Sequence, residues 1–273
     1  MASVNRELID MRHLVWSKTR HSSGTAGSFL KSQDIIDKKK IYYKLSNYDA
    51  INGIVGHECI NEIVVDRLLD ELGISHVKYS LIHGIVLVDE KEFETYFCAS
   101  EDFKQPGDSK IPFDVFFDIE REKDESPIEF CNRMNWQEYI DVMLLVDFLI
   151  LNRDRHGANI EVLRNNLNRT HCLAPLFDHG LSLLFNCKND EEVLNANVLE
   201  DKAVQCFVGN HSSYNNLKLI SENGLRKLPP FDKKMKTRLF EGLSGIVTET
   251  WIDKVWEMLR GRAEQYEDFR NNR

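Results

Sequence analysis

The most informative stretch of this 273-residue sequence reads DFLILNRDRHGAN and occupies positions 147–159. It overlaps an apolar segment, residues 136–151, whose hydrophobic side chains lie on nearly all sides and therefore predict a buried helix. A polar loop follows without a linker, and it carries Asp154 and Asn159 five positions apart. Because a buried helix would support this loop rigidly, the loop is the first candidate for a functional site.

A second carboxylate completes the pattern. Residues 160–163 and 172–177 predict two short strands joined by a turn, and Asp178 follows the second strand. Phosphoryl transfer from ATP requires Mg²⁺ held by oxygen ligands and a carboxylate that orients the acceptor hydroxyl. The protein-kinase catalytic loop H-R-D-x-x-x-x-N has the same separation between Asp and Asn. Taken alone, Asp154 has a structural explanation as well, because short polar side chains cap backbone N–H groups at such positions.

These segments resemble the HipA-like kinases, bacterial serine/threonine kinases first met as the toxin half of toxin–antitoxin pairs. The stretch at 147–159 looks like their catalytic segment, and LAPLFD at 173–178 looks like the motif that follows it. The resemblance implies roles for four residues. Asp154 would be the catalytic base, and Asn159 and Asp178 would be Mg²⁺ ligands. His156 belongs to the same catalytic motif and would support the loop.

The N-terminal third supplies the candidates for binding ATP. Residues 41–45 predict a strand that carries Lys44, and residues 56–72 predict a helix that carries Glu58 and Glu62. In kinases a strand lysine paired with a helix glutamate binds the α- and β-phosphates. We favour Glu62 as the partner of Lys44, and Glu58, one turn earlier on the same face, stays open.

A small glycine-bearing loop, SSGTAGS at 22–28, lies where HipA-like proteins carry a phosphate-binding loop. Its backbone N–H groups would contact the phosphates. The residues expected to do so are Gly24, Thr25, Ala26, Gly27 and Ser28. In some relatives this loop is autophosphorylated on a serine and thereby inactivated, and the hydroxyl-bearing candidates here are Ser22, Ser23, Thr25 and Ser28.

The predicted fold is α+β, a two-lobed protein-kinase-like fold. Its small mixed N-lobe would span residues 1–103 and its mainly helical C-lobe residues 104–273, with a polar junction at 101–112. ATP and Mg²⁺ would lie in the cleft, and the γ-phosphoryl group would pass to a serine or threonine of a protein substrate. Arg153 and Arg155 are each either a phosphate contact or a salt-bridge partner on the loop.

Two alternatives to a protein kinase remain open. Phosphatidylinositol kinases share the Asp-Arg-His-x-x-Asn form, so a lipid or small-molecule kinase is the first. The second is a pseudokinase scaffold that binds nucleotide and a protein partner. Pseudokinases usually lose the base, a metal ligand or the lysine, whereas all of these are present here. An antitoxin is a candidate partner by resemblance, although the HipA toxin has an additional N-terminal region and only about twenty residues precede Ser22 here.

Composition bears on the binding partners and the cellular location of the protein. The net charge of −9 argues against direct nucleic-acid binding, which depends on cationic neutralisation of phosphates. The six cysteines include no CxxC pair and indicate a reducing compartment. The most apolar stretch, residues 142–151, is too short to span a bilayer, and residues 1–16 lack the apolar core of a signal peptide. We therefore expect a cytoplasmic protein without a membrane span.

Overall fold

The computed structural model describes residues 2–17 and 29–273. Residues 24–28, the predicted phosphate-binding positions, and the candidate phosphorylation sites at 22, 23, 25 and 28 lie outside the described residues. The N-terminal part contains a five-stranded sheet, a two-stranded hairpin and one long helix. In chain order these elements are β1 (Ser3–Asp10), β2 (Lys31–Ile36), β3 (Lys39–Lys44), β4 (Tyr48–Asp49), β5 (Gly53–Ile54), α1 (Glu58–Glu71), β6 (Tyr79–Val88) and β7 (Lys91–Glu101).

The large sheet has the strand order β1-β6-β7-β3-β2. Strands β6, β7, β3 and β2 pair antiparallel in succession, whereas β1 pairs parallel with β6 at the edge. Lys44 lies opposite Lys31 on one side and opposite Cys98 on the other, so it stands within the sheet. The predicted strand at 41–45 is therefore present as β3, and the predicted helix at 56–72 as α1.

Helix α1 packs against the sheet and is buried on nearly every side. Its apolar residues, including Ile63, Val64 and Leu68, are fully buried, but so are its polar residues Asn61 and Glu62. Because buried polar groups require partners, this helix carries more than a packing role. The left-handed backbone of Gly73, with φ of 65°, follows its end.

The C-terminal part is mainly helical and contains a three-stranded sheet of order β11-β10-β8. Strand β8 lies within residues 101–112, which the sequence predicts as a polar junction, and it pairs with β10. The elements here are β8 (Asp108–Pro112), α2 (Phe113–Glu120), α3 (Pro127–Arg133), α4 (Gln137–Ile150), β9 (Asp154–Arg155), β10 (Glu161–Asn165), β11 (Thr170–Leu173), α5 (Asp190–Asn195), β12 (Gln205–Cys206), α6 (Ser213–Asn216), α7 (Lys233–Phe240) and α8 (Glu249–Asn271).

Helix α4 is the buried helix predicted from the apolar segment 136–151. It ends at Leu151, whose φ of 49° lies in the left-handed region and turns the chain into the polar loop. The neighbouring helix α8 contributes Trp251, Val255 and Leu259 to the same buried cluster. Within the described part of the chain, no helix has both the length and the apolar character needed to cross a membrane.

Candidate active site

A cavity of about 1220 Å³ lies where the large sheet faces the loop that follows α4. Lys44, which belongs to the sheet, lines this cavity together with Asp154, Asn159 and Asp178. Residues that are more than a hundred positions apart in sequence thus face one cavity. Strand β3 presents the lysine, and the loop after α4 with the segment after β11 presents the oxygen-bearing side chains.

Lys44 forms the centre of a buried ion-pair network. Its Nζ lies 3.0 Å from Glu62 Oε1 and 2.5 Å from Asp178 Oδ1. The second oxygen of Glu62 accepts a hydrogen bond from the backbone N–H of His179 at 2.9 Å. Burial acts to lower the pKa of Lys44, but the carboxylates of Asp178 and Glu62 outweigh burial and hold the pKa well above its ordinary value. The lysine is therefore charged and held in place.

Glu62, rather than Glu58, is the partner of Lys44. Glu58 also lies at the start of α1 and is buried, but its Oε2 accepts a hydrogen bond from the backbone of Asn47 at 3.3 Å. Burial raises the pKa of both glutamates. Of these two glutamates, Glu62 is the one that makes an ion pair with Lys44, so the choice that the sequence leaves open is decided by the register of α1 against β3.

Asp178 has the electrostatic surroundings of a metal ligand. Burial would raise its pKa, but Lys44 and Lys31 together hold the pKa well below its ordinary value. Its backbone φ of 58° lies in the left-handed region, where Asp is more common than most residues. The backbone N–H of Asp178 points to the hydroxyl of Tyr79 at 3.4 Å. The carboxylate is thus ionised and held in one orientation at the cavity wall.

Arg155 holds the loop in shape from inside the protein. It is 1% exposed, and its Nε and Nη2 donate to the two carboxylate oxygens of Asp147, each at 2.9 Å. Its Nη1 donates to the backbone oxygens of Asn159 and Phe177 at 2.9 and 3.0 Å. The salt-bridge role is the one that the structure shows for this arginine. Arg153 instead lines the cavity, and its Nε donates to the backbone oxygen of Ala203 at 2.5 Å.

Asp154 and His156 are adjacent at the cavity wall. His156 Nε2 lies 3.7 Å from Asp154 Oδ1, and His156 Nδ1 accepts a hydrogen bond from the N–H of Ala158 at 3.1 Å. Burial raises the pKa of Asp154, and His156 opposes this rise. The histidine therefore supports the turn that follows, and the Asp154 carboxyl remains directed to the cavity without a strong cationic partner among the described residues.

The donor set at the cavity fits Mg²⁺. Asn159 Nδ2 donates to the backbone oxygen of Asp154 at 2.7 Å, which leaves its amide oxygen without a hydrogen bond from any residue that the structure describes. The second carboxylate oxygen of Asp178 is likewise unbonded within the described ranges. Mg²⁺ prefers carboxylate and amide oxygens and is completed by substrate phosphates and water. One carboxylate oxygen and one amide oxygen on the wall of the same cavity satisfy this preference.

Comparisons with known proteins define the fold. No family model and no curated protein matches the sequence. The Helicobacter pylori proinflammatory kinase CtkA matches the structure with a TM-score of 0.63 at 15% identity, over 97% of each chain. A chain of the Shewanella oneidensis MR-1 HipA–HipB toxin–antitoxin complex with operator DNA matches with a TM-score of 0.51 at 14% identity, over 92% of this chain and 67% of that one.

The chain has a HipA-like kinase fold. The resemblance seen in the sequence is thereby confirmed at the level of the fold, together with the expected mixture of a sheet and several helices. At 14–15% identity the likeness concerns the fold alone.

The residue that organises the loop is Asp147, to which the sequence assigns no role. Its carboxylate holds Arg155 through two hydrogen bonds. The signal was available in principle, because an Asp in the apolar second half of a buried helix must find a buried partner. What the sequence does not show is which of two nearby arginines would turn inward.

Proposed function

We propose that this protein is an ATP- and Mg²⁺-dependent kinase that transfers the γ-phosphoryl group to a serine or threonine hydroxyl of a protein. The observation that carries the proposal is the ion pair of Lys44 with Glu62 and Asp178 on the wall of a cavity that Asp154 and Asn159 also line. Kinases need a phosphate-binding lysine, oxygen ligands for the metal and a carboxylate for the acceptor. The described residues supply all three kinds of group.

In this proposal the sheet and α1, up to residue 103, form the N-lobe, and the remainder forms the C-lobe. Lys44 binds the α- and β-phosphates, and Glu62 keeps its ammonium directed into the cavity. Asn159 and Asp178 hold Mg²⁺, which neutralises charge on the phosphates when it is bound. The loop at residues 24–28 completes the phosphate site through its backbone N–H groups.

Asp154 is the base in this proposal. Its carboxylate accepts the proton of the attacking hydroxyl and orients that oxygen towards the γ-phosphorus. Burial raises the pKa of Asp154 above its ordinary value, which makes the carboxylate a better proton acceptor. Arg155 and His156 act as positioning residues, since Arg155 bonds the backbone of the loop and His156 caps the turn after it.

The deciding experiment incubates the purified protein with γ-labelled ATP and Mg²⁺, with and without a cell extract. The variants Asp154→Ala and Asp178→Ala should abolish labelling. Asp253→Ala, on the exposed face of α8, should label like the parent. Label that survives in both site variants would refute the proposal. ATP binding without label on any protein would favour a scaffold, and label on phosphoinositide vesicles alone would favour a lipid kinase.

Autophosphorylation is tested in the same samples by phosphopeptide mapping. A phosphate between His21 and Lys31 in the parent, absent from Asp154→Ala, would support inactivation through the phosphate loop. Active enzyme without phosphate in this segment would exclude it.

A further inference from the structure

A second group of metal-ligating side chains lies between α1 and the start of β6. Asp66 and Asp70 lie one turn apart on α1, and His76 follows in the segment that leads to β6. One ligand atom of each residue lies within 4.8 Å of the others, and Asp66 Oδ1 is 3.6 Å from His76 Nε2. These three residues are not among the described residues that line the candidate active site.

The hydrogen bonds of His76 fix its tautomer. His76 Nδ1 lies 2.7 Å from the backbone oxygen of Ile74, which is an acceptor, so Nδ1 carries the hydrogen. His76 Nε2 lies 3.1 Å from Lys78 Nζ, and an ammonium group can only donate. The Nε2 atom is therefore unprotonated, and its lone pair is available to a ligand. Metal-binding histidines have this form, in which the other ring nitrogen donates to a backbone carbonyl.

The Asp66 carboxylate lacks a donor at one of its two oxygens. Its Oδ2 accepts a hydrogen bond from the N–H of Tyr79 at 2.7 Å, whereas Oδ1 is buried without a hydrogen bond from any described residue. Since His76 is neutral, Oδ1 and Nε2 face each other as two acceptors, which is unfavourable unless a cation binds both. Zinc ligands at about 2.1 Å in a tetrahedron are roughly 3.4 Å apart, close to the observed 3.6 Å.

Lys78 contacts this cluster but does not complete it. Its ammonium pairs with Asp70 and donates to His76, and no ion pair joins it to Asp66 among the described residues. The side chain of Lys78 is 59% exposed and that of Asp70 24%, so this side of the cluster is accessible to solvent. Because an exposed ion pair contributes little to stability, withdrawal of Lys78 can admit an ion to the buried ligands.

We propose that Asp66, Asp70 and His76 bind a divalent transition-metal ion, and that Zn²⁺ fits this site best. The inference is independent of the proposed kinase function. An imidazole nitrogen favours zinc over Mg²⁺, and the two carboxylates match the charge of the ion. Water completes the coordination. The ion joins α1 to the segment before β6, where the N–H of Val77 donates to the backbone oxygen of Leu176 at 2.8 Å. It therefore stabilises this junction.

Calorimetric titration of the full chain with Zn²⁺, in excess Mg²⁺, tests the proposal. The parent should bind one Zn²⁺ that His76→Gln and Asp66→Asn bind at least about a hundredfold more weakly, since even a partner behind a ligand is worth 10–100-fold. Lys78→Met should bind this ion about two- to fivefold more tightly, because the competing ammonium is gone. His83→Gln should bind like the parent, since His83 pairs with Glu94 outside the cluster. Zinc binding by cysteines is common to the parent and all four variants.

Thermal melting without metal establishes that each variant is folded, and if one ligand variant does not fold, the other decides together with Lys78→Met. Added Zn²⁺ should raise the melting temperature of the parent more than that of His76→Gln. Zinc binding of equal strength in the parent, His76→Gln and Asp66→Asn would overturn the inference. Equal or weaker binding by Lys78→Met would also overturn it, since the lysine would then not compete with the ion. Either result leaves the kinase proposal intact.

Discussion

Replacing Arg155 with alanine should destabilise the protein strongly. The side chain is 1% exposed, and it donates to both oxygens of Asp147 and to the backbone oxygens of Asn159 and Phe177. Alanine would leave the Asp147 carboxylate buried with the amide of Asn152, at 2.9 Å, as its remaining side-chain donor among the described residues. Removing one partner of a buried ion pair costs about 3–5 kcal/mol, because the other charge stays buried and uncompensated.

For a chain of this length, 1 kcal/mol corresponds to about 2–4 °C in the melting temperature. The Arg155→Ala variant should therefore melt roughly 6–20 °C below the parent. The matched control is Arg260→Ala, because Arg260 lies on α8 with an exposed side chain, 3.7 Å from Glu264. An exposed pair of this kind contributes about 0–1 kcal/mol.

Urea unfolding followed by circular dichroism gives the free energies for Arg155→Ala, Asp147→Asn and the double variant. The double variant should lose less than the sum of the two single losses, because either substitution alone breaks the same pair. Below its melting temperature, folded Arg155→Ala should also lose labelling activity, since the backbone of Asn159 is no longer held. An Arg155→Ala free energy of unfolding within about 1 kcal/mol of the parent would refute the reasoning.

Three further predictions follow from individual contacts. Glu62→Gln should weaken Mg-ATP binding in calorimetry and Glu58→Gln should not, because only Glu62 pairs with Lys44; equal losses would contradict this. Asp154→Asn should lower kcat by about 10²–10⁴-fold with little change in KM for ATP, and an unchanged kcat in steady-state assays would exclude it as the base. Burial lowers the pKa of His57 below its ordinary 6.5. As the pH falls, the unfolded chain therefore binds a proton on His57 before the folded protein does. Its contribution to stability is then complete above pH 6.5 and is lost as the pH falls towards the folded pKa. Urea unfolding at pH 7 and pH 5 should show a smaller loss for His57→Gln than for the parent, and parallel losses would refute this.

The helices that could be predicted from the sequence are those in which the pattern of apolar residues indicates burial. Helix α4 is apolar all round, and α1 has an apolar stripe that stops before Gly73. Strand β1 could not be recognised, because it lies at the sheet edge with most residues exposed and thus lacks an apolar alternation. Strand β8 was hidden for a related reason, since all of its residues are half-buried and its sequence reads as a polar junction.

The candidate site likewise has features that the sequence predicts and features that it does not. The spacing from Asp154 to Asn159 is local, so the sequence shows it directly, and the fold brings Asp178 to the same cavity. The sequence favours Glu62 as the partner of Lys44 but leaves Glu58 open, because the choice depends on the register of α1 on the sheet. The inward turn of Arg155 depends on how the loop folds back against Asp147 on α4, which the sequence does not show.

Lys44 and Arg155, the cations of two buried ion pairs, contact neighbouring residues of the chain. Lys44 binds the carboxylate of Asp178 from the sheet, and Arg155 binds the backbone oxygen of the preceding residue, Phe177, from the loop. Asp178 itself has a left-handed backbone, a conformation that costs a non-glycine residue roughly 1–3 kcal/mol unless its surroundings fix it. The contacts from Lys44 and Arg155 offset this cost. The orientation of the proposed metal ligand therefore depends on the sheet and the loop together, and displacement of either one would disturb it.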